Sequence, residues 1–244
     1  MINRIKNKVK QIENKIEISR QLQEDNLALV QLLKMFGDNI FLPLTAWSVS
    51  PREVLHYCND ITINNRKTIV EFGSGFSTIC IAQLLKISNK TATFISIEND
   101  TNWAAELSNI LNGLGLLQYV KIIVAPITSV APEIAKKGQE KWYDADAIAA
   151  RIKEISNIDM VIVDGPFGGT TPFARFSAIP FLKEKMATSF TVFLDDTGRL
   201  EEKQIVSDWQ SILGANATQY NKRYTCLTNK DSFTVTPYTV KIKL

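Results

Sequence analysis

Short apolar runs alternate with amphipathic stretches over most of the chain beyond residue 66. The apolar runs predict five strands, and the stretches between and after them predict helices. Because these runs are apolar throughout, both faces of the strands should be buried, as in a parallel sheet with helices on both faces. The predicted strands span residues 67–72, 92–97, 120–124, 158–163 and 190–194, and the predicted helices span 77–86, 102–111, 172–185 and 201–213.

The end of the chain has a different pattern. Apolar and polar residues alternate over 218–228 and 232–243, on either side of Asn229-Lys230-Asp231. This two-residue period around a polar turn predicts an antiparallel hairpin. Residues 127–157 are polar and predict an added helix or lid beside the sheet. We therefore predict an α/β fold with a doubly wound, mostly parallel seven-stranded sheet that ends in the hairpin.

The first 36 residues contain no Gly or Pro, and apolar residues recur there at steps of three and four. This spacing predicts a long amphipathic helix with an apolar stripe of Ile2, Ile5, Val9, Ile12 and Ile16. The stripe could pack on the body of the protein, join a second copy in a homo-oligomeric coiled coil, or lie on an anionic membrane. Residues 41–51 predict an irregular connector and 52–60 a short helix. The chain thus divides into a helical extension with its connector, 1–60, and a core domain, 61–244.

Composition narrows the classes of function. A net charge of +3 is too mild for the dense basic face of a nucleic-acid-binding protein, so no nucleic-acid partner is expected. The cysteines lack metal-ligand spacing and predict reduced core thiols. No signal peptide and no transmembrane segment is expected, which makes the cytoplasm the expected location.

A glycine loop follows the first predicted strand. Gly73, Ser74 and Gly75 come directly after residues 67–72, and a helix follows them. In open α/β sheets this is where a nucleotide-like ligand approaches the backbone, although a plain tight turn has the same signature. Glu98 ends the second strand, about 23 residues beyond Gly75, from where a carboxylate can accept the hydroxyls of an adenosine ribose. Together the two features favour a nucleoside site.

The stretch Val70-Glu71-Phe72-Gly73-Ser74-Gly75 resembles the first motif of class I S-adenosylmethionine-dependent methyltransferases, which have a Rossmann-like fold. Thr78, where a dinucleotide fingerprint wants a small residue, argues against a dinucleotide. The resemblance implies a cofactor site for S-adenosylmethionine in which the glycine loop holds the methionine and ribose, Glu98 the ribose, and the turn at Pro126 the adenine. The implied cofactor-binding set is Glu71, Gly73, Ser74, Gly75, Ser77, Glu98, Asn99, Trp103, Pro126 and Asp164.

Three acidic residues should gather at the same edge of the sheet. Asp164 follows the fourth predicted strand, and Asp195 and Asp196 follow the fifth. Clustered carboxylates repel one another unless a cation compensates, and Mg²⁺ prefers oxygen ligands. Alternatively, Asp195 and Asp196 only cap a turn and the following helix. Nearby Arg175 and Arg199 could clamp an anionic substrate group or anchor helices.

The acidic arrangement resembles the metal-dependent O-methyltransferases of the catechol type and of some antibiotic-sugar enzymes. That resemblance implies that Asp164, Asp195 and Asp196 are metal ligands and that Asp164 and Asp196 are catalytic. The sequence departs from the catechol type at Phe167, where that type has a lysine. The only histidine, His56, lies outside these motifs and is interpreted as a packing or surface residue.

The sequence thus predicts methyl transfer from S-adenosylmethionine to a hydroxyl of a small molecule, a sugar or a phenolic metabolite, with assistance from Mg²⁺. Apolar connector residues 41–47 are expected to close over the site. Two alternatives stay open. One is an aminopropyl transferase like the polyamine synthases, in which the acidic residues bind an amine. The other is a non-catalytic binding protein on the same fold.

Overall fold

The computed structural model describes residues 2–37, 40–230 and 233–239. Within these residues it contains nine strands and seven α-helices. The strands are β1 (Thr68–Phe72), β2 (Thr93–Glu98), β3 (Lys121–Val124), β4 (Ile127–Ser129), β5 (Lys141–Tyr143), β6 (Ile158–Val163), β7 (Met186–Leu194), β8 (Asn216–Tyr220) and β9 (Tyr224–Thr228). The helices are α1 (Ile2–Leu33), α2 (Pro51–Ile63), α3 (Phe76–Ser88), α4 (Thr101–Gly113), α5 (Ala145–Arg151), α6 (Ala178–Leu182) and α7 (Leu200–Leu213).

Seven of the strands form one sheet in the order β3-β2-β1-β6-β7-β9-β8. The pairs among β1, β2, β3, β6 and β7 are parallel, and β9 pairs antiparallel with both β7 and β8. The chain winds outward from β1 to β3 and then returns to place β6 beside β1. The strand order therefore reverses between β1 and β6, and ligands of such sheets bind at the carboxyl ends of the strands at this point.

The sheet is buried on both faces, as its sequence predicts. Alternate residues of the central strands belong to two separate apolar cores: Ile69 and Met160 to one, and Val70 and Val161 to the other. Helices α2, α3 and α4 contribute to the first core, and α5, α6 and α7 to the second. The predicted fold class, with helices on both faces of the sheet and a final antiparallel hairpin, is confirmed.

The hairpin lies earlier in the chain than its predicted position. Its strands are β8 and β9, and Asn221 and Lys222 form the turn with left-handed backbone angles, φ 50° and 54°. Residues 233–239 contain no strand; instead, Arg52 donates a hydrogen bond to the Tyr238 carbonyl (2.7 Å) and Asn59 to the Val235 carbonyl (3.0 Å). The remainder of the predicted second strand, at 232 and 240–243, lies outside the described residues.

The predicted helix at 172–185 is wrong over its first half. Only Ala178–Leu182 is α-helical, followed by a short 3₁₀ turn, Lys183–Lys185. Phe173 has φ 54°, a left-handed conformation that an α-helix cannot contain, and its amide donates to Glu201 Oε2 at 3.0 Å. Residues 127–157, predicted to add a helix or lid, contribute the two-stranded β4–β5 sheet and the short helix α5.

The amino-terminal helix packs only in part. Near its end, Ala28 and Leu32 are buried in the first core, whereas Val9 and Ile12 are 48% and 57% exposed. The apolar stripe at residues 9–16 thus does not pack on the body of the protein, and its other two predicted uses remain predictions. No described helix is sufficiently long and apolar to cross a bilayer. The domain division at residue 60 also remains a prediction, and that residue lies inside α2.

Candidate functional site

A cavity of about 620 Å³ opens at the carboxyl ends of β1, β2, β6 and β7. This volume lies within the range typical of small-molecule sites. Most of the residues predicted from the sequence line the cavity: Gly73, Ser74, Gly75, Ser77, Glu98, Asn99, Trp103, Asp164, Asp195 and Asp196. Two predicted residues, Glu71 and Pro126, are not among the lining residues.

The glycine loop forms one wall of the cavity. Gly73 has φ 92°, and a Cβ atom added to it would lie 2.9 Å from the backbone nitrogen of Gly165. Only glycine therefore fits where the loop crosses the end of β6. At Gly75 a Cβ atom would meet no other atom within 4 Å, so the backbone there is open to a ligand. The Trp103 indole donates to the Ser74 carbonyl at 2.8 Å and so holds the loop in place.

Glu98 faces the cavity from the end of β2. Its Oε2 accepts the amide of Ser74 (3.1 Å), and its Oε1 accepts the amides of Asn99 and Asp100, both at 2.8 Å. Burial raises the pKa of Glu98, and the three amide donors oppose that shift. The carboxylate is therefore held at a fixed orientation between the glycine loop and the start of α4.

Glu71 lies beneath the loop and is fully buried. Its carboxyl accepts hydrogen bonds from Ser77 (2.5 Å), Thr78 (2.6 Å) and Ser96 (2.6 Å). Burial raises its pKa to about 7, against the opposing effect of these hydroxyls. Thr78 also accepts the Gly75 amide at 2.8 Å, so the network ties the loop to β1 and β2. Sequence reasoning did not assign either residue to the site: Thr78 served only as an argument against a dinucleotide, and Ser96 has no motif of its own.

Pro126 supports the opposite wall of the cavity instead of lining it. Its carbonyl accepts the Asp144 amide at 2.8 Å. Asp144 comes directly after Tyr143 in the chain, and Tyr143 does line the cavity. The Tyr143 hydroxyl is buried and has no hydrogen-bond partner among the described residues, and burial raises its pKa well above the ordinary value. Tyr143 is therefore a protonated donor with unused hydrogen-bonding capacity, and no pattern in the sequence indicates this role.

The three predicted acidic residues converge. Asp164, Asp195 and Asp196 each place a carboxylate oxygen within 4.8 Å of the other two. Arg175 lies among them: its Nη2 is 3.0 Å from Asp164 Oδ1 and 3.1 Å from Asp196 Oδ2. Arg199 Nη1 contacts the same Asp196 oxygen at 2.8 Å. Both arginines, which the sequence left open between a substrate clamp and an anchor, are thus paired with the acidic cluster.

A fourth carboxyl group lies behind the cluster. Glu53, at the start of α2, is fully buried and accepts the Tyr57 hydroxyl at 2.6 Å. Burial raises the pKa of Glu53 well above its usual value, and neighbouring Asp195 raises it further. Burial and Asp195 thus both favour the protonated form of Glu53. The short helix was predicted, but nothing in the sequence indicates that Glu53 meets Asp195.

Aromatic residues stand at the mouth of the cavity. The rings of Trp47 and Phe167 meet edge to face with centroids 5.4 Å apart, and both are exposed. Connector residues Pro43, Thr45 and Ala46 line the cavity beside them. His56 is buried elsewhere: its Nδ1 lies 3.0 Å from the Tyr224 hydroxyl, and burial lowers its pKa to about 4. It packs in the core, in agreement with its interpretation from the sequence.

Solved structures share this architecture. An O-methyltransferase from Bacillus cereus in complex with S-adenosylhomocysteine is 13% identical, with a TM-score of 0.53 over 84% of this chain and 90% of that one. The O-methyltransferase TomG of tomaymycin synthesis from Streptomyces achromogenes, with S-adenosylmethionine, is 16% identical, with a TM-score of 0.54 over 76% and 82%. A methyltransferase from Podospora anserina with S-adenosylhomocysteine is 13% identical, with a TM-score of 0.51 over 75% and 80%.

The chain has the class I methyltransferase fold. This confirms the resemblance stated from the sequence at the level of the fold. A scan against protein-family models finds no match, and neither does a search of curated proteins. At such low identities the match concerns backbone architecture alone.

Proposed function

We propose that this protein is an S-adenosylmethionine-dependent methyltransferase that acts on a hydroxyl oxygen of a small molecule. The observation that carries the proposal is the placement of Glu98 against the glycine loop at the reversal point of the sheet. A carboxylate there can accept two ribose hydroxyls, and the glycine backbone allows a ligand to approach closely. The similar solved structures that carry this cofactor or its product support the same interpretation.

The lining residues fit the cofactor. Gly73, Ser74 and Gly75 would hold the methionine and ribose portion, with Ser77 beside them at the start of α3, and Glu98 would hold the ribose. Asn99 and Trp103 would flank the nucleoside, and the turn at Pro126 would border the adenine.

Asp164, with the free Tyr143 hydroxyl near it, is available to the amino-acid end. Glu71 would act indirectly, by holding the loop from below. When bound, the cofactor supplies an electrophilic methyl group.

The chain's own contribution is to hold the acceptor and take up its proton. Asp196 lines the cavity and is partly exposed; both arginines contact its Oδ2, so its Oδ1 is the oxygen proposed to accept the proton, with Asp164 beside it. Trp47 and Phe167 offer ring surfaces to the flat face of a sugar or a phenol. Most of the rate enhancement would then come from alignment of the acceptor oxygen.

The acidic cluster argues for methyl transfer over aminopropyl transfer. An aminopropyl transferase must bind a cationic amine with its carboxylates, and arginines beside those carboxylates would repel the cation but would not repel a neutral hydroxyl. Here Asp164 and Asp196 are already paired with Arg175, and Asp196 also with Arg199. A non-catalytic role is disfavoured by the enclosed cavity and the unused Tyr143 hydroxyl, since a binding protein that acts through α1 needs neither.

The experiment is to follow the methyl group. The full chain is incubated with S-adenosylmethionine labelled in the methyl group and one pool of acceptors at a time: sugars, phenols or polyamines. A parallel reaction contains the polyamines with decarboxylated S-adenosylmethionine. We expect labelled methyl ethers from a hydroxyl pool together with S-adenosylhomocysteine, and loss of product in Asp196→Asn. Aminopropyl transfer to a polyamine from decarboxylated S-adenosylmethionine, without methyl transfer to any hydroxyl, would reject the proposal.

Homo-oligomerisation through α1 is a separate proposal. The exposed stripe at Val9, Ile12 and Ile16 is the feature that supports it. Sedimentation equilibrium of the full chain and of Ile12→Asp tests it. We expect a concentration-dependent dimer for the wild type and a monomer for the variant, whereas a monomeric wild type rejects pairing.

A further inference from the structure

The acidic cluster has the composition of a divalent-cation site. Three carboxylates from two adjacent strand ends converge, with ligand oxygens within 4.8 Å of one another. A hard ion such as Mg²⁺ binds oxygen ligands at about 2.0–2.1 Å and is commonly held by carboxylates. Judged by the carboxylates alone, the residues present would fit an ion, as the sequence predicts.

The Arg175 guanidinium lies where it would compete with a metal ion for these carboxylates. Its Nη2 lies about equally far from Asp164 and Asp196, at 3.0 and 3.1 Å, and its Nη1 donates to the Asp195 carbonyl at 3.1 Å. An ion bound at about 2.1 Å to the same two carboxylate oxygens could lie no more than about 5 Å from Nη2. The two positive charges would therefore compete for the same carboxylates.

The guanidinium is fixed in that position by its surroundings. Its side chain is only 5% exposed, and both of its terminal nitrogens are engaged, Nη1 by the Asp195 carbonyl and Nη2 by Asp164 and Asp196. The left-handed residue Phe173, anchored by Glu201, turns the backbone two residues before Arg175 and so directs the chain toward the end of β7. Burial opposes the charge on Arg175, but Asp164 and Asp196 outweigh burial, and the pKa of Arg175 is raised.

Each carboxylate of the cluster already has a cationic neighbour. Asp164 and Asp196 contact Arg175, and Asp196 also contacts Arg199 at 2.8 Å. Arg223 Nε lies 3.8 Å from Asp195 Oδ1. Arg175 and Arg199 thus supply most of the positive charge that clustered carboxylates require, while the buried Asp195 Oδ1 has no hydrogen-bond partner among the described residues.

We infer that Arg175 takes the place of the divalent ion, so that this chain holds its acidic cluster with an internal guanidinium and binds no metal there. The residues present do not fit the predicted Mg²⁺ once Arg175 is included. Arg175 is then a positioning residue that fixes the directions of the Asp164 and Asp196 carboxylates. The absence of the catechol-type lysine at Phe167 is a second departure from the metal-dependent pattern.

The test measures metal binding directly, with Mn²⁺ followed by electron paramagnetic resonance on the full chain. We compare the wild type with Arg175→Gln, which keeps most of the side-chain volume but removes the charge. Arg175→Lys, which keeps the charge, and Arg199→Gln, which leaves Arg175 in place, are the controls. We expect no saturable binding by the wild type or the controls up to the highest Mn²⁺ concentration used. Arg175→Gln should bind Mn²⁺ with a Kd at least about tenfold below that concentration, and the binding should be lost when Asp195→Asn is added.

Two results would overturn the inference. One is stoichiometric Mn²⁺ binding by the wild type that disappears in Asp164→Asn. The other is a folded Arg175→Gln that gains no affinity, since something other than Arg175 would then exclude the ion. Should Arg175→Gln fail to fold, the wild-type titration and its Asp164→Asn counterpart still decide. The outcome does not depend on the proposed methyl transfer, which the labelling experiment tests separately.

Discussion

The two ends of the cavity are built by different means. At the glycine-loop end, backbone amides and hydroxyl groups surround Glu71 and Glu98, and nearly all of the partners lie within residues 71–103. At the acidic end, guanidinium and carboxyl groups come together from residues 53, 164, 175, 195–196, 199 and 223. One end stabilises carboxylates with neutral donors, and the other with charged side chains.

This difference separates two tasks. The glycine-loop end has open backbone and a fixed carboxylate, which suits a ligand recognised by hydroxyl groups and close approach. The acidic end is already compensated internally, so it does not need an ion to be stable. What it offers a ligand is a set of oriented carboxylates near an aromatic mouth. Substitutions should therefore affect the two ends differently: the glycine-loop end through its backbone and hydroxyl groups, and the acidic end through its charged side chains.

The largest effect is expected where the acidic end loses its buried cation. Arg175→Gln leaves the Asp164 and Asp196 carboxylates facing each other, and breaking a buried pair in this way costs about 4 kcal/mol of unfolding free energy. Arg199→Gln is the matched control: the Arg199 side chain is 53% exposed, so its loss should cost under about 1 kcal/mol. Urea denaturation measures both, and equal losses would show that burial of Arg175 does not matter.

At the other end, Gly73→Ala should destabilise the protein by about 3 kcal/mol. The substitution combines a left-handed backbone with a Cβ atom 2.9 Å from the Gly165 nitrogen. Gly113→Ala, at the end of α4, meets no atom within 4 Å and should be nearly neutral. Thermal denaturation of the two variants checks the difference. A Gly73→Ala protein as stable as Gly113→Ala would show that the loop does not need glycine.

The glycine-loop end should also titrate near neutral pH. Glu71 has a pKa raised to about 7 from an ordinary 4.5, so the folded state holds its proton more tightly than the unfolded state. Its contribution to stability is therefore present below pH 4.5 and is lost as pH rises through about 7, a change of about 3 kcal/mol. Glu71→Gln cannot titrate, so the difference in unfolding free energy between variant and wild type should move by this amount in favour of the variant between pH 4 and pH 8.

The control for that titration is Glu106→Gln, an exposed residue on α4. It makes the same substitution at a position where the side chain lies in solvent, so it measures the effect of the substitution without burial. A difference for Glu71→Gln that does not change with pH would mean that the pKa of Glu71 is the same in the folded and unfolded states, because the three hydroxyl donors offset the effect of burial.

The smallest effect concerns ligand affinity. Glu98→Gln removes the charge that would strengthen hydrogen bonds from the ribose hydroxyls, and it should weaken S-adenosylhomocysteine binding by about tenfold. Glu106→Gln should bind like the wild type. Calorimetric titration measures both. Unchanged affinity in Glu98→Gln would place the nucleoside elsewhere in the cavity.

The sequence predicted the glycine-loop end better because the residues that form it lie close together in the chain. The apolar runs predicted two strands, and the positions of Gly73–Gly75 and Glu98 after those runs were sufficient to place them at neighbouring strand ends. The sequence also predicted the convergence of Asp164, Asp195 and Asp196. It could not predict the role of Arg175, because the segment before α6 was interpreted as a continuous helix. The left-handed Phe173 that turns this segment has no sequence signature.

The hairpin shows the same limit in another way. The alternation of apolar and polar residues correctly predicted an antiparallel hairpin. Its turn lies at Asn221 and Lys222, however, and its two strands come earlier in the chain than expected. Glu53 and Tyr143 belong to elements whose function depends on tertiary contacts, so no local pattern identifies them.

The central claim is that the glycine-loop end binds S-adenosylmethionine and its product. Equilibrium dialysis of the full wild-type chain against labelled S-adenosylhomocysteine tests it most directly, because retention of the label requires neither an acceptor nor a metal. The account predicts saturable retention of a single molecule per chain, displaced by unlabelled S-adenosylmethionine. A folded wild-type chain that retains no label at any concentration of the ligand would contradict it.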